Sequence, residues 1–122
     1  MTISSGTLLF VFCVSALLGC GELCGNDEKL SVASPSGQMK AIVFIRNCGA
    51  TTGYSTQVSL MSAGTRLPND GGNVFVSDGV VPLTIRWTSD YALEIGRVGT
   101  ERIFRQEQAV DGVVISYAKN AL

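Results

Sequence analysis

The chain has 122 residues, room for one domain and not comfortably for two. Hydrophobic residues make up 46% and charged residues 16%, which excludes a disordered chain. The formal charge is −1 and Lys29, Lys40, Arg46, Arg66, Arg86 and Arg97 are scattered singly, so the basic field that nucleic-acid binding needs is missing. There is no histidine, which rules out Ser-His-Asp and Cys-His catalysis and zinc sites with His ligands.

The first 21 residues carry no charged side chain. Thr7 to Gly19, TLLFVFCVSALLG, is an unbroken apolar run of 13 residues ending in a small residue before Cys20. A membrane span needs about 20 apolar residues and a signal-peptide core about 7–15, so the length favours an export signal. Leu17-Leu18-Gly19-Cys20 resembles the lipobox of bacterial lipoproteins. That resemblance implies cleavage before Cys20, diacylglycerol on its thiol and acylation of the new amine, with residues 1–19 as signal peptide. It implies the cell envelope as location, with the domain facing the periplasm. Gly21 rather than Asp after the cysteine favours the outer membrane by the same resemblance. Export signals normally open with Lys or Arg, and Met1 to Gly6 has neither. The competing reading is a buried apolar helix of a cytosolic domain.

Residues 20–28 read as a polar linker and 29–122 as the domain. LSVAS (30–34) and MKAIVFIRN (39–47) flank Ser34-Pro35-Ser36-Gly37, a turn signal with Pro second and Gly fourth. In an antiparallel hairpin centred there, opposed residues have numbers summing to about 71–72, and those of Cys24 and Cys48 sum to 72. The two thiols then meet at the open end of the hairpin, a disulfide suited to an exported domain. A one-residue slip would turn one thiol away, and a bulge would correct it. Two free thiols or half of a metal site are the alternatives.

Ala41 to Ile45 is apolar on both faces and reads as a central strand. Ser55 to Ser62 alternates, with Val58 and Leu60 on one face and Gln57 and Ser59 on the other. Ala63 to Thr65 and Leu67 to Gly72 are loop chemistry, and Asn73 to Ser77 is a short strand. Asp78-Gly79 and Asp111-Gly112 are hairpin signals, the second joining 102–106 to 113–117. Leu83, Ile85 and Trp87 oppose Thr84, Arg86 and Thr88, and after Thr88-Ser89-Asp90 the residues Tyr91, Leu93 and Ile95 share a face. Residues 101–109 read as a strand or one short helix. Strand runs recur every 8–15 residues with turns between them, so the expected fold is all-β, a single antiparallel meander, sandwich or barrel-like domain. SPSGQMKAIVF and IRWTSDYALEI look like propeller hairpins, but a propeller needs at least about four blades and the chain is too short.

One string is unlike generic β sequence: CGATTGYSTQVSL at 48–60. With SPSG (34–37), GGNVF (71–75) and the strand ending in Trp87, it resembles a signature of small bacterial proteins labelled lipoproteins, to which no activity is attached. The resemblance covers most of the chain after Cys20 and implies the domain without implying chemistry. Gly49 and Gly53 bracket Ala50-Thr51-Thr52, and Thr51, Thr52, Ser55 and Thr56 offer hydroxyls and Tyr54 a ring. This is either a recognition loop, its amides forming an anion nest, or a connector whose threonines satisfy local backbone. Trp87 reads as core, and Asp90 and Glu94 as solvated charges rather than an acid–base pair.

The expected function is a non-catalytic envelope module held to the membrane by lipid, with a protein partner in the envelope and no cofactor. An inhibitor of an envelope-directed enzyme such as a lysozyme is the alternative. A histidine-free hydrolase is a third, with Lys29, Lys40 and Lys119 in polar surroundings that would not activate a nucleophile.

Overall fold

A computed structural model describes residues 23–49 and 52–119. Among them are nine strands and no helix: β1 (Gly25–Ala33), β2 (Met39–Asn47), β3 (Tyr54–Ser62), β4 (Phe75–Asp78), β5 (Leu83–Ser89), β6 (Ala92–Arg97), β7 (Ile103–Gln106), β8 (Ala109–Val110) and β9 (Val113–Lys119). They form a five-stranded sheet ordered β1-β2-β3-β4-β7 and a four-stranded sheet ordered β5-β6-β9-β8. The fold is an all-β sandwich, as the strand spacing predicts. Its pairings are antiparallel except β6 with β9, which run parallel.

The core lies between the sheets. Ala41, Val43, Val58, Leu60 and Phe75 of the first sheet meet Leu93, Ile95, Val113 and Ile115 of the second. Trp87 packs at the side of this core, half-buried, and its indole N–H donates to the Val32 carbonyl across the sandwich (3.0 Å). Thr84, Arg86 and Thr88 point to solvent as their alternation demands, and the Arg86–Glu94 pair is an exposed cross-strand ion pair (3.1 Å).

The β1–β2 register settles the cysteines. Near the turn opposed residue numbers sum to 73, as in Leu30 with Val43; beyond a bulge at Lys29 they sum to 72, as in Gly25 with Asn47. Without that extra residue Cys24 would oppose Gly49. With it, Cys24 faces Cys48, and the two are joined by a disulfide. Their thiols are therefore consumed, which removes both the free-thiol and the metal alternative for this pair. β1 also begins at Gly25 rather than after residue 28, because the bridge and the pairing to β2 draw the expected linker residues 25–28 into the sheet.

Three other expectations change. Asp78-Gly79 makes no hairpin: β4 stays in the first sheet and residues 79–82 carry the chain across to β5 in the second. Of the two readings of residues 101–109 the strand holds, as β7, but it pairs with β4 rather than with β9. The Asp111-Gly112 turn instead joins β9 to the two-residue β8. Tyr91, placed by alternation beside Leu93 and Ile95, sits in the β5–β6 turn and is 73% exposed, because a bulge between Trp87 and Ser89 ends the regular register.

The outer face of the first sheet is covered too. Ile42 and Phe44 alternate away from the inter-sheet core yet are fully buried, and Gln57 and Ser59 on that same face are buried rather than solvated. The segment 67–73 docks there. Asn26 donates to the Pro68 and Asp70 carbonyls (3.0 and 2.9 Å), and Arg46 donates to Asn26 and Asn69 (2.7 and 3.1 Å). Asn69 donates to the Cys24 carbonyl (2.9 Å), and the Gly72 amide to Gln57 Oε1 (2.6 Å).

Candidate functional site

The sandwich has two ends. At the hairpin end the 34–37 turn meets the β5–β6 turn, where the Ser36 amide donates to Asp90 Oδ1 (2.8 Å). At the bridge end lie Leu23, the Cys24–Cys48 disulfide, the glycine-bracketed segment and the 79–82 crossover. The candidate site is at the bridge end. Cys20, the expected lipid site, and Thr51 lie outside the described residues.

The described residues of the bracketed segment bond largely to nearby groups of the chain. Gly49 and Gly53 have φ of +121° and +71°, values that L side chains rarely adopt. The Gly49 amide donates to Asn47 Oδ1 (3.1 Å), and the Thr52 amide and hydroxyl both donate to the Gly49 carbonyl (3.3 and 3.1 Å). These two amides are committed to Asn47 and Gly49, so neither is free to take an anion. Ser55 Oγ accepts from Gln57 Nε2 (2.7 Å). Tyr54 differs. It opens β3, its carbonyl accepts the Gly79 amide (2.9 Å), and it is 54% exposed.

Thr56 ties this end together. Fully buried, its hydroxyl donates to the Gly79 carbonyl (2.7 Å) and accepts from the Val81 amide (3.0 Å). One side chain thus satisfies two backbone groups of the crossover that no strand partner reaches.

Among the concavities that open here are two on opposite faces of the first sheet. A hollow of about 250 Å³ on the outer face of the first sheet is walled by Arg46, Tyr54, Ser55, Gln57, Asp78 and Phe104. It brings the exposed Tyr54 and Phe104 together with a guanidinium, a carboxylate and hydrogen-bonding groups. The Phe104 ring is itself covered at 5.3 Å by the Arg102 guanidinium. A second, apolar cleft of about 420 Å³ enters between the sheets past Leu30, Ile45, Val80 and Pro82, with Lys29 at its rim and Thr56 at its base. Lys29 reaches the cleft because the bulge puts it beside Leu30 on the inner face, and it pairs with Asp27 at 2.7 Å.

Tyr54 and Ser55 of the expected recognition loop line the hollow, with Thr52 and Gly53 at its edge, whereas Gly49 borders a separate hollow with Asn47. Sequence reasoning missed Arg46, Asp78 and Phe104. Phe104 comes from β7, nearly fifty residues after Ser55, and nothing in its neighbourhood signals that β7 pairs with β4. Among the described residues no group of three or more His, Cys, Asp or Glu is placed to hold a metal ion. No family model, no curated protein and no solved structure matches the chain.

Proposed function

We propose that this is a lipid-anchored protein of the bacterial cell envelope whose sandwich acts as a non-catalytic binding module. The observation that carries the reading is the Cys24–Cys48 bridge. Disulfides persist in oxidising compartments outside the cytosol, and this one opens the domain four residues past the cysteine of the lipobox. The buried-helix reading of residues 7–19 gives no reason for an oxidised pair there.

The surface proposed for binding is the hollow beside Tyr54. Aromatic and arginine side chains next to hydrogen-bonding groups are the composition of interface centres, and Tyr54 and Phe104 are each more than half exposed.

Full-length protein made in a bacterial host and weighed intact from the membrane fraction tests the anchor. The expected product begins at Cys20, carries acyl mass and holds two cysteines that alkylate only after reduction. An unprocessed chain with freely alkylating thiols refutes the reading. In-cell crosslinking of wild type and Phe104→Ser tests the surface: a partner captured by the first and lost from the second is expected, and equal capture places the contact elsewhere.

A further inference from the structure

We propose that the bridge end of the sandwich is a membrane-contacting face that rests in the headgroup boundary of the bilayer. The inference depends on the lipid anchor proposed above.

Its first ground is reach. Cys20 is four residues from Cys24, so an extended chain separates them by at most about 14 Å. The nine residues of β1 run away from that point for about 30 Å, from the bridge to the hairpin end. A tether shorter than the domain holds the bridge end near the lipid in every orientation and leaves the hairpin end free to point away.

Its second ground is what the bridge end exposes. Leu23 is 74% exposed, Val80 67% and Tyr54 54%. These three lie together. Leu23 and Tyr54 wall one hollow of about 470 Å³, Ile45 is shared by that hollow and the cleft that Val80 lines, and the Gly79 amide, one residue before Val80, donates to the Tyr54 carbonyl. Next to Val80 the apolar cleft opens, lengthening the same surface. Large apolar side chains clustered on a surface mark an interaction site, and tyrosine is a residue of membrane interfaces, its ring in the lipid boundary and its hydroxyl in water. An acyl anchor combined with a shallow apolar contact is a two-signal attachment, stronger and better oriented than either alone.

Trp87 is the sole tryptophan, so single-tryptophan variants can report depth. The test uses full-length acylated protein carrying Trp87→Phe with either Tyr54→Trp or Tyr91→Trp, reconstituted in phosphatidylethanolamine–phosphatidylglycerol vesicles with brominated acyl chains. Tyr54 and Tyr91 are both well exposed and sit at opposite ends, so neither exchange disturbs the core. Side chains resting about 5–10 Å into the boundary come within reach of the bromines, so at least about twofold stronger quenching is expected for Tyr54→Trp than for Tyr91→Trp. Adding Val80→Asp should remove the difference while leaving the acyl mass unchanged. Equal quenching at the two ends in acylated protein overturns the orientation and leaves the anchor standing. A processed chain without acyl mass removes the anchor, and the orientation with it.

Discussion

Asn73 offers the sharpest test of how the sandwich is closed. Its side-chain amide lies against β3, where Nδ2 donates to the Leu60 carbonyl (2.9 Å) and Oδ1 accepts the Leu60 amide (2.8 Å). The side chain thus stands in for one residue of a paired strand, one position before Val74 resumes backbone bonding to Val58 (3.1 Å). Asn73→Ala leaves two polar groups of Leu60, itself 1% exposed, without these partners. At about 1–3 kcal/mol per unsatisfied group, and with water able to reach a half-buried side chain's place, the loss is about 2–4 kcal/mol. For a domain of this size that lowers the melting temperature by roughly 10–25 °C. Asn73→Asp separates bonding from space filling. It is nearly isosteric and still accepts from the Leu60 amide, but it sets a carboxylate oxygen against the Leu60 carbonyl where a donor stood. At pH 7 it should destabilise at least as much as Ala, and the deficit should shrink as falling pH protonates the carboxyl. Thermal and urea unfolding of the three proteins decides it. An Asn73→Asp variant within about 0.5 kcal/mol of wild type at pH 7 would refute the reasoning, because an unpaired acceptor in that position cannot be neutral.

Three further outcomes are expected. Cys24→Ala with Cys48→Ala opens a loop closed over a separation of 24 residues and should cost about 3.5 kcal/mol, read as a fall in urea midpoint that reduction of the wild type reproduces. Gly72→Ala places a methyl 2.6 Å from the Val58 carbonyl oxygen and 3.1 Å from that of Phe75, so backbone must shift, with a loss of about 1–3 kcal/mol in the same assay. Burial, with Glu107 adding to it, raises the Tyr117 phenol from 10.0 to about 12. Because the folded value is the higher one, this group's stability contribution is complete below pH 10 and is lost as pH rises from about 10 towards 12. Absorbance titration should show a late phenol step that Tyr117→Phe abolishes, and that variant should lose about 1 kcal/mol with the 2.7 Å bond to the Glu107 carbonyl.

The parts legible in the sequence were those set by local pattern. The two-sided apolar run of β2 reads as a strand covered on both faces, and it is. The alternation of Leu83, Ile85 and Trp87 gives the inner face of β5 directly. The hairpin arithmetic around Ser34–Gly37 pairs the cysteines, although the register reaches them only through the Lys29 bulge. Gln57 and Ser59 lie opposite Val58 and Leu60 as alternation places them, but alternation reports which residues share a face and not what lies over it. The cover comes from Gly72 and Asn73, whose amides donate to Gln57 Oε1 and Ser59 Oγ of β3 from a loop that follows that strand. The candidate site was half legible for the same reason. Tyr54 and Ser55 stand in a conspicuous string, whereas Arg46, Asp78 and Phe104 join them only once three other strands have paired.

The two Asp-Gly dipeptides show where local signals stop. At Asp111-Gly112 both residues take positive φ, +50° and +79°, the pair of values a tight two-residue hairpin turn requires, and Val113 pairs back to Val110. At Asp78-Gly79 only the glycine does, at +77°. The difference lies outside the dipeptide. The Asp78 and Gly79 amides are taken by the Arg102 and Tyr54 carbonyls (2.8 and 2.9 Å), and the Gly79 carbonyl and Val81 amide are taken by Thr56. Pro82 then has no N–H to give to a returning strand. With those groups satisfied by β3 and the segment before β7, the chain is free to leave the first sheet and begin the second. That departure lifts Val80 into solvent and opens the cleft between the sheets. The local turn signal was therefore overridden by the same hydrogen bonds that create the apolar surface at the bridge end. A hairpin at Asp78-Gly79 would have placed β5 beside β4, where β7 now pairs, and left neither the cleft nor the exposed Val80.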